Sequence, residues 1–390
     1  MHPAALAPVF INCSGETLTI SGSGGIATWL LGVAAAATDE GAAPVVLTKR
    51  HPSLPAALGG AVVIPYPTVP DLRGLATLDR TTRRVLGFPH QLQPWWNRRV
   101  LAAIDELGPE PRTVLLHNDP ELAVVTSRRF PQHRVAHLLH NTNAMAERWH
   151  RPFGLHVRPL AISDFVARWS ERAYGLSPGA VSCVHNGVDV ALFRPDRAVR
   201  PDRAVLSYVG LFNERKAPDL LLRAAAELMT GTRPFEVRLI GARNYGTDDL
   251  DEYGVELRRL ADALRGGGVP VSFPGFLGRV ALAEELRRAD IVVVPSRGEE
   301  AFGLAALEGM ASGAATVVTR TGGLPEAVGR AGVVVERDDA GALAAELRRL
   351  LDDPQLLGER QQQARLWAEG HTWHHTWRRL LEVLSQDSSA

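Results

Sequence analysis

The stretch 289-ADIVVVPSRGEEAFGLAALEGMASG-313 begins with an unbroken β-branched run, crosses a loop holding two adjacent glutamates, and continues as an Ala/Leu-rich segment. An apolar run without polar alternation reads as a strand buried on both faces, as in a parallel sheet covered by helices. The spacing predicts a helix starting near Gly303. A strand that passes through a short loop into a helix is the repeating element of an open α/β fold.

The same pattern recurs in both directions. Upstream, candidate strands are 8-PVFINC-13, 44-PVVLT-48, 61-AVVIP-65, 113-TVLLHN-118, 135-VAHLLH-140, 158-RPLAIS-163 and 181-VSCVH-185. A second series comprises 204-AVLSYVG-210, 235-FEVRLIG-241, 270-PVSFPG-275, 290-DIVVVPS-296, 315-ATVVT-319 and 332-GVVVE-336. Two such series predict two Rossmann-like, doubly wound parallel sheets. The Pro- and Arg-rich 194-RPDRAVRPDRAV-205 has the composition of an exposed linker. The expected domains are therefore 1–195 and 196–365. The stretch 355-QLLGERQQQARLWAEGHTWHHTWRRLLEVLSQ-386 reads as helical, anchored by Trp367, Trp373 and Trp377, with a final segment 366–390 crossing back to the first domain.

Composition narrows the function. With 390 residues, 45% apolar, the chain has material for sizeable cores, which excludes disordered and disulfide-scaffold classes. The 43 basic and 43 acidic residues balance, which argues against an obligate nucleic-acid binder. The first 200 residues carry 20 basic and 15 acidic side chains and the remainder 23 and 28. That asymmetry suits an acidic acceptor or a peripheral contact with an anionic membrane surface, or is ordinary scatter. Cys13 and Cys183 are the only cysteines, which fits a reducing cytoplasm. No apolar stretch approaches the ~20 residues that span a bilayer, and MHPAALAP lacks the pattern of a signal peptide. A cytoplasmic location is expected.

Ligands of open α/β sheets bind beyond the carboxyl ends of the strands, so the loops there hold the candidate chemistry. In 14-SGETLTISGSGGIATWL-30, Gly22, Gly24 and Gly25 precede a helix expected near Ile26, an arrangement suited either to a phosphate or to a plain turn. In 211-LFNERKAPDLLL-222, Arg215 and Lys216 suit a pyrophosphate or form a solvated pair. Lysine occurs only at Lys49 and Lys216, so the chain keeps an ammonium in this loop while using arginine elsewhere. In the loop quoted first, the rise of a helix separates Glu300 and Glu308 by up to ~12 Å. That spacing is too wide for a hydrolase acid/base pair. It suits two distant hydroxyl groups of one elongated ligand, with a phosphate at the helix N-terminus between them.

His117 and His140 end candidate strands, where each is either a core histidine or a ligand contact. Asp249 and Asp251 in 246-GTDDLDEYG-254 resemble a metal motif but read as a solvated acidic run. His371, His374 and His375 lack a Cys or carboxylate partner nearby in sequence and read as helix surface, so no metal site is expected. Trp95 and Trp96 beside Arg98 and Arg99 read as packing residues or as a loop touching an acceptor or a membrane.

Taken together, 184-VHNGVDVALF-193, 208-YVGLFNERKAPDLLL-222, the glutamate loop and 321-TGGLPE-326 resemble the retaining glycosyltransferases of family 4 with the GT-B fold. The segment 239-LIGARNYGTDDLDEYGVELRRLA-261 looks like the subgroup around spore-coat protein SA. The resemblance implies two Rossmann-like domains facing across a cleft, an acceptor-binding first domain and a donor-binding second one. It implies a nucleoside diphosphate sugar (a UDP-sugar by the subgroup) as co-substrate, an acceptor hydroxyl, and no cofactor or metal. By the resemblance Glu300 contacts the donor sugar and Glu308 the ribose, while Gly303 and Leu304 offer backbone N–H groups to the phosphates; Phe302 beside them is a further candidate substrate contact. Lys216 binds the pyrophosphate, Gly24 and Gly25 form the amino-terminal loop, His117 lies near the sugar, and Gly275 and Phe276 lie where the backbone reads the base; His140, by its strand-end position alone, lines the acceptor side or the core. Two positions depart from the pattern: Leu211 replaces an arginine whose charge Arg215 would supply, and Gly298 replaces a frequent bulky aromatic. Other functions built on this architecture are a sugar-nucleotide epimerase, a sugar phosphorylase and a non-catalytic nucleotide-sugar sensor.

Overall fold

A computed structural model describes residues 8–12, 24–49, 62–66, 93–195, 203–229, 231–243 and 251–386, with the backbone alone at 49, 62–66 and 93–96. The chain divides into two compact units. One comprises residues up to Ala161, Ala167–Cys183 and the chain from Leu381; the other comprises Ile162–Val166 and Val184–Leu380. The second unit thus begins again at Val184, ten residues before the Pro/Arg-rich stretch in which the linker was expected. Positions 196–202 of that stretch lie outside the described residues.

In the first unit the strands are β1 (Val9–Ile11), β2 (Val45–Lys49), β3 (Val62–Tyr66), β4 (Thr113–His117), β5 (Arg134–Leu139), β6 (Arg158–Ala161) and β7 (Ser182–Cys183). They form one seven-stranded sheet in the order β3-β2-β1-β4-β5-β6-β7. Its described helices are α1 (Gly25–Asp39), α2 (Gln93–Asp105), α3 (Pro120–Arg129) and α4 (His150–His156), followed by α5 (Asp164–Tyr174). In the second unit the strands are β8 (Ala204–Val209), β9 (Phe235–Ile240), β10 (Val271–Gly275), β11 (Ile291–Val294), β12 (Ala315–Thr319) and β13 (Val333–Val335), ordered β10-β9-β8-β11-β12-β13. The helices here are α6 (Pro218–Glu227), α7 (Glu252–Gly266), α8 (Arg279–Arg287), α9 (Leu304–Ala311), α10 (Leu324–Val328), α11 (Ala340–Asp352) and α12 (Pro354–Glu369), followed by α13 (Trp373–Ser385), which passes from this unit to the first at Leu381.

Among the described residues every strand pairing in both sheets is parallel. The unbroken Val/Ile runs explain why: Ile291–Val294 and Ala315–Thr319 are buried throughout, as strands covered by helices on both faces must be. Side chains of β8, β9, β11 and β12 join Leu220, Leu221, Leu257 and Leu347 in one apolar core. Helix starts are set by short acidic caps: Asp119, Asp251, Asp339 and Asp353 each accept a backbone N–H of the first turn.

The carboxy-terminal stretch differs from the single helical reading. Gly370 ends α12, and Thr372 forms a parallel bridge with Val188 before α13 begins. The Val188 N–H donates to His371 O at 2.9 Å, so backbone pairing takes the two residues that a continuous helix would need. Trp373 and Trp377 are buried anchors, as expected.

Candidate functional site

In both sheets the strand order reverses at the centre, beside β1 and β4 in the first unit and β8 and β11 in the second. Loops beyond the carboxyl ends of such a strand pair diverge and leave room for a ligand. Lys216 follows β8 and Glu300 follows β11. Gly24 follows β1, and His117 is the last residue of β4. These four candidates therefore come from the strand pairs at which each sheet changes direction, whereas His140 follows β5 and Gly275 ends β10.

After β8 the chain turns on Asn213. Its side-chain oxygen and its carbonyl both accept the Lys216 N–H, at 2.9 and 3.1 Å. Ala217 then adopts a left-handed conformation (φ 51°) before Pro218 opens α6. This turn sends the Lys216 side chain toward the loop after β11, where Nζ lies 2.7 and 2.8 Å from the two carboxylate oxygens of Glu300. Ser296 Oγ donates to the same Oε1 at 2.7 Å. Glu300 is only 7% exposed, so its charge is compensated by donors drawn from two loops.

The Glu300 backbone is held from behind by the 321-TGG-323 turn. The Gly323 N–H donates to Glu300 O at 2.7 Å. Gly322 has φ +55°, and a Cβ there would lie 2.0 Å from that same oxygen, so only glycine admits this approach. Gly303 (φ 118°) leads into α9, whose second turn carries Glu308, 5% exposed and 2.9 Å from Arg279 Nη1. The Arg279 guanidinium also lies 5.0 Å from the centre of the Phe193 ring. Gly303 and Leu304 sit at the amino end of α9 as expected. The Phe302 side chain is buried in packing, its ring 5.8 Å from that of His185.

Arg215 lies four positions after Leu211, in the loop that follows β8. Its Nη1 donates to Glu299 O at 3.0 Å, across the backbone at Gly298. A Cβ on Gly298 would fall 2.0 Å from Arg215 Cγ, which gives the glycine at this position a physical reason. Leu211 contributes its carbonyl, which accepts the Tyr208 hydroxyl at 2.7 Å. Burial first, and then the Glu300 carboxylate, push that phenol well above its ordinary pKa, so it stays a donor. Gly275 ends β10 with φ +81°, its carbonyl taking the Gly241 N–H at 2.9 Å, and Phe276 beside it is an exposed aromatic.

In the first unit Gly24 caps α1, and Gly25 is its first residue. Gly22 and Cys13 lie outside the described residues. His117 and His140 come together, with Nδ1 and Nε2 2.9 Å apart and the Trp29 ring 5.0 and 5.8 Å from theirs. Both are buried, and desolvation lowers the pKa of His117 to about 3 and that of His140 well below its usual value. His117 Nε2 finds no partner among the described residues. His137, which the sequence reading passed over, is fully buried beside them and also lowered to about 3, by desolvation and then by His117.

Of the remaining motifs, Asp251 caps α7 and pairs with Arg243 at 3.0 Å, while Asp249 lies outside the described residues. His371 is half-buried and stacked on Trp367 at 4.3 Å. The side chains of Trp95 and Trp96 lie outside the described residues. Ser296, Arg279 and the Arg297–Asp219 ion pair (2.7 Å) are site features that sequence reasoning missed. Their only sequence signal is position, immediately after a strand or at the start of a helix.

Residues 203–353 match the family described as "Glycosyl transferases group 1". Over 241 residues the chain is 40% identical to D-inositol 3-phosphate glycosyltransferase 2 of Catenulispora acidiphila, covering 59% of this chain and 56% of that protein. Over 244 residues it is 34% identical to D-inositol 3-phosphate glycosyltransferase of a Nocardioides species, covering 57% and 52%. The chain spans about half the length of the curated relatives it matches. A glycosyltransferase of Rickettsia africae superposes with a TM-score of 0.73 at 15% identity, over 98% of this chain and 99% of that one. Anabaena Alr3699/HepE in complex with UDP superposes with a TM-score of 0.70 at 17% identity, over 98% and 100%. The fold is the two-unit α/β fold of GT-B glycosyltransferases. No described helix is long and apolar enough to cross a membrane.

Proposed function

We propose that the protein is a retaining glycosyltransferase of family 4 that moves a sugar from a nucleoside diphosphate sugar, a UDP-sugar first, to an acceptor hydroxyl. The observation that carries this reading is the contact of Lys216 Nζ with both carboxylate oxygens of Glu300, beyond the central strands of the second sheet. An ammonium and a carboxylate side by side at a helix N-terminus offer a cation to a diphosphate and an acceptor to sugar hydroxyls. Glu308, farther along α9, is assigned the ribose hydroxyls, and Gly275 and Phe276 the base. The first unit is assigned the acceptor, lined by His140, while His117 is assigned a place near the sugar and Gly24 and Gly25 the amino-terminal glycine loop. The 239–261 segment supports placement near the spore-coat protein SA subgroup.

In the proposed reaction the bond between the anomeric carbon and the leaving phosphate oxygen breaks. The acceptor oxygen bonds to the same face of that carbon, and the acceptor proton passes to the departing diphosphate. Lys216, Arg215 and the amino end of α9 stabilise charge that grows on the leaving group. Glu300 orients the sugar, and neither a cofactor nor a metal is required. Neutral buried histidines in the first unit suit hydrogen bonding to hydroxyl groups rather than charge pairing. Activity in the cytoplasm would give access to sugar nucleotides.

The test is turnover of UDP-, GDP-, ADP- and dTDP-sugars with inositol phosphates and simple polyols as acceptors, the first choice following the relatives' names. Product anomers are read by NMR. The expected result is a glycoside with the donor's configuration, with Glu300→Ala lowering kcat far more than it weakens UDP binding. Sugar phosphate release with added phosphate, or a changed donor without acceptor, would replace this reading with a phosphorylase or an epimerase.

A further inference from the structure

Asp219 lies in the first turn of α6, close after Lys216, and its side chain is 5% exposed. Arg297 lies in the loop after β11, close before Glu300. Although 78 positions apart in sequence, they form a two-pronged pair. Arg297 Nη1 donates to Asp219 Oδ1 and Nη2 to Oδ2, both at 2.7 Å. The Tyr253 hydroxyl and Arg223 Nε donate to the same carboxylate, and Arg297 Nε donates to Asp338. Between this pair and the site, the backbones are also fastened. The N–H groups of Arg297 and Gly298 both donate to Arg215 O at 2.9 Å, and the Arg215 guanidinium returns a bond to Glu299 O.

The two loops are therefore closed along 215–219 and 297–299, and Lys216 and Glu300 project from the closed segment. A lysine has a flexible four-carbon stem, and holding its ammonium in one place requires that its backbone origin be fixed. A planar guanidinium gripping a carboxylate with two parallel bonds fixes both distance and orientation, which a lysine in its place would not.

We propose that the Asp219–Arg297 pair is a positioning device that sets the register of Lys216 against Glu300. Through that register it governs the rate of sugar transfer rather than nucleotide affinity. The kinetic half of the proposal rests on the function proposed above; the register itself does not.

The chain's two lysines make the register measurable without any substrate. The full-length protein is treated with a limiting amount of acetic anhydride, and acetylation of Lys216 is compared with that of Lys49 by mass spectrometry. Glu300→Gln serves as the reference in which the ion pair is broken. Arg297→Gln and Asp219→Asn are expected to raise Lys216 acetylation several-fold, toward the Glu300→Gln level. Arg297→Lys, which retains charge but not the fork, is expected to fall between these and the wild type. Where the wild type turns over a donor, Arg297→Gln is expected to lower kcat about 10- to 100-fold, with donor KM held within about twofold.

Unchanged Lys216 acetylation in a folded Arg297→Gln or Arg297→Lys variant would overturn the positioning role. So would a loss expressed wholly in KM. If a single-charge variant does not fold, Arg297→Gln combined with Asp219→Asn removes both charges and is judged by the same acetylation ratio. A wild type inactive on every donor would sink the proposed function while the acetylation result still decides the register.

Discussion

Lys216 and Glu300 are 84 positions apart in sequence, yet the Lys216 ammonium contacts both oxygens of the Glu300 carboxylate, at 2.7 and 2.8 Å. Glu300 is the more buried partner, so removing Lys216 leaves a shielded carboxylate without its counter-charge. Lys216→Ala is expected to lower donor kcat/KM by roughly 10²- to 10³-fold, the scale for loss of one stabilising group at a developing negative charge. Lys216→Arg should recover part of that loss. Steady-state kinetics with saturating acceptor measure both, and wild-type rates in Lys216→Ala would remove this residue from the site.

The Glu308–Arg279 contact at 2.9 Å leads to a different kinetic signature. Hydrogen bonds from ribose hydroxyls to a carboxylate are each worth about 1.5–3 kcal/mol. Glu308→Ala should therefore weaken UDP binding by at least about tenfold in titration calorimetry. At saturating donor, turnover should change much less than in Glu300→Ala. Equal UDP affinity in the variant and the wild type would separate Glu308 from the nucleotide.

Gly322 offers a test that needs no substrate. A methyl group there meets Glu300 O at 2.0 Å and Glu300 N at 2.5 Å, with backbone already at φ +55°. Backbone atoms cannot swing aside as a flexible side chain can. Gly322→Ala is expected to cost about 2–3 kcal/mol or more, combining steric overlap with an unfavourable φ. Denaturant unfolding compares it with the wild type, and an unchanged midpoint would contradict the close packing of the 321–323 turn.

The buried histidines make stability depend on pH. His117 and His137 are each lowered to about 3 by burial, whereas an unfolded histidine titrates near 6.5. Above pH 6.5 both states are neutral and the shift has no effect. As the pH falls below 6.5, the unfolded chain takes up protons that the folded chain refuses, so stability drops until about pH 3. At pH 5 the loss is about 2 kcal/mol for each residue. Unfolding followed at pH 7 and pH 5 should show it, and His137→Leu should reduce the difference. A pH-independent midpoint across this range would refute the burial of neutral imidazoles.

The strands were legible because nothing local competes with an unbroken Val/Ile run. The segments around 291–294 and 315–319 have no polar alternation, no proline within the run and no helical period, and they form central strands. The helices at 304–311 and 25–39 begin beside the glycines expected to precede them. The interruption at 370–372 was not legible, since it answers to Val188, far away in sequence. The burial of the Phe302 ring was not legible for a related reason. An aromatic beside a glycine in a binding loop carries the same local signal whether it faces a ligand or the core.

For this protein the order of residue types along the chain determined the alternation of strands and helices, and with it the two parallel sheets. It also marked the loops after β1, β4, β8 and β11 as the places for chemistry. Those features depend on periodicity, φ preferences and burial of apolar runs, all properties of short segments. The pairing of Lys216 with Glu300, the fork between Arg297 and Asp219, and the meeting of His117 with His140 were decided only by tertiary structure. Each joins residues that end or follow different strands, and a contact of that kind exists only once the sheet order has set which carboxyl ends are neighbours.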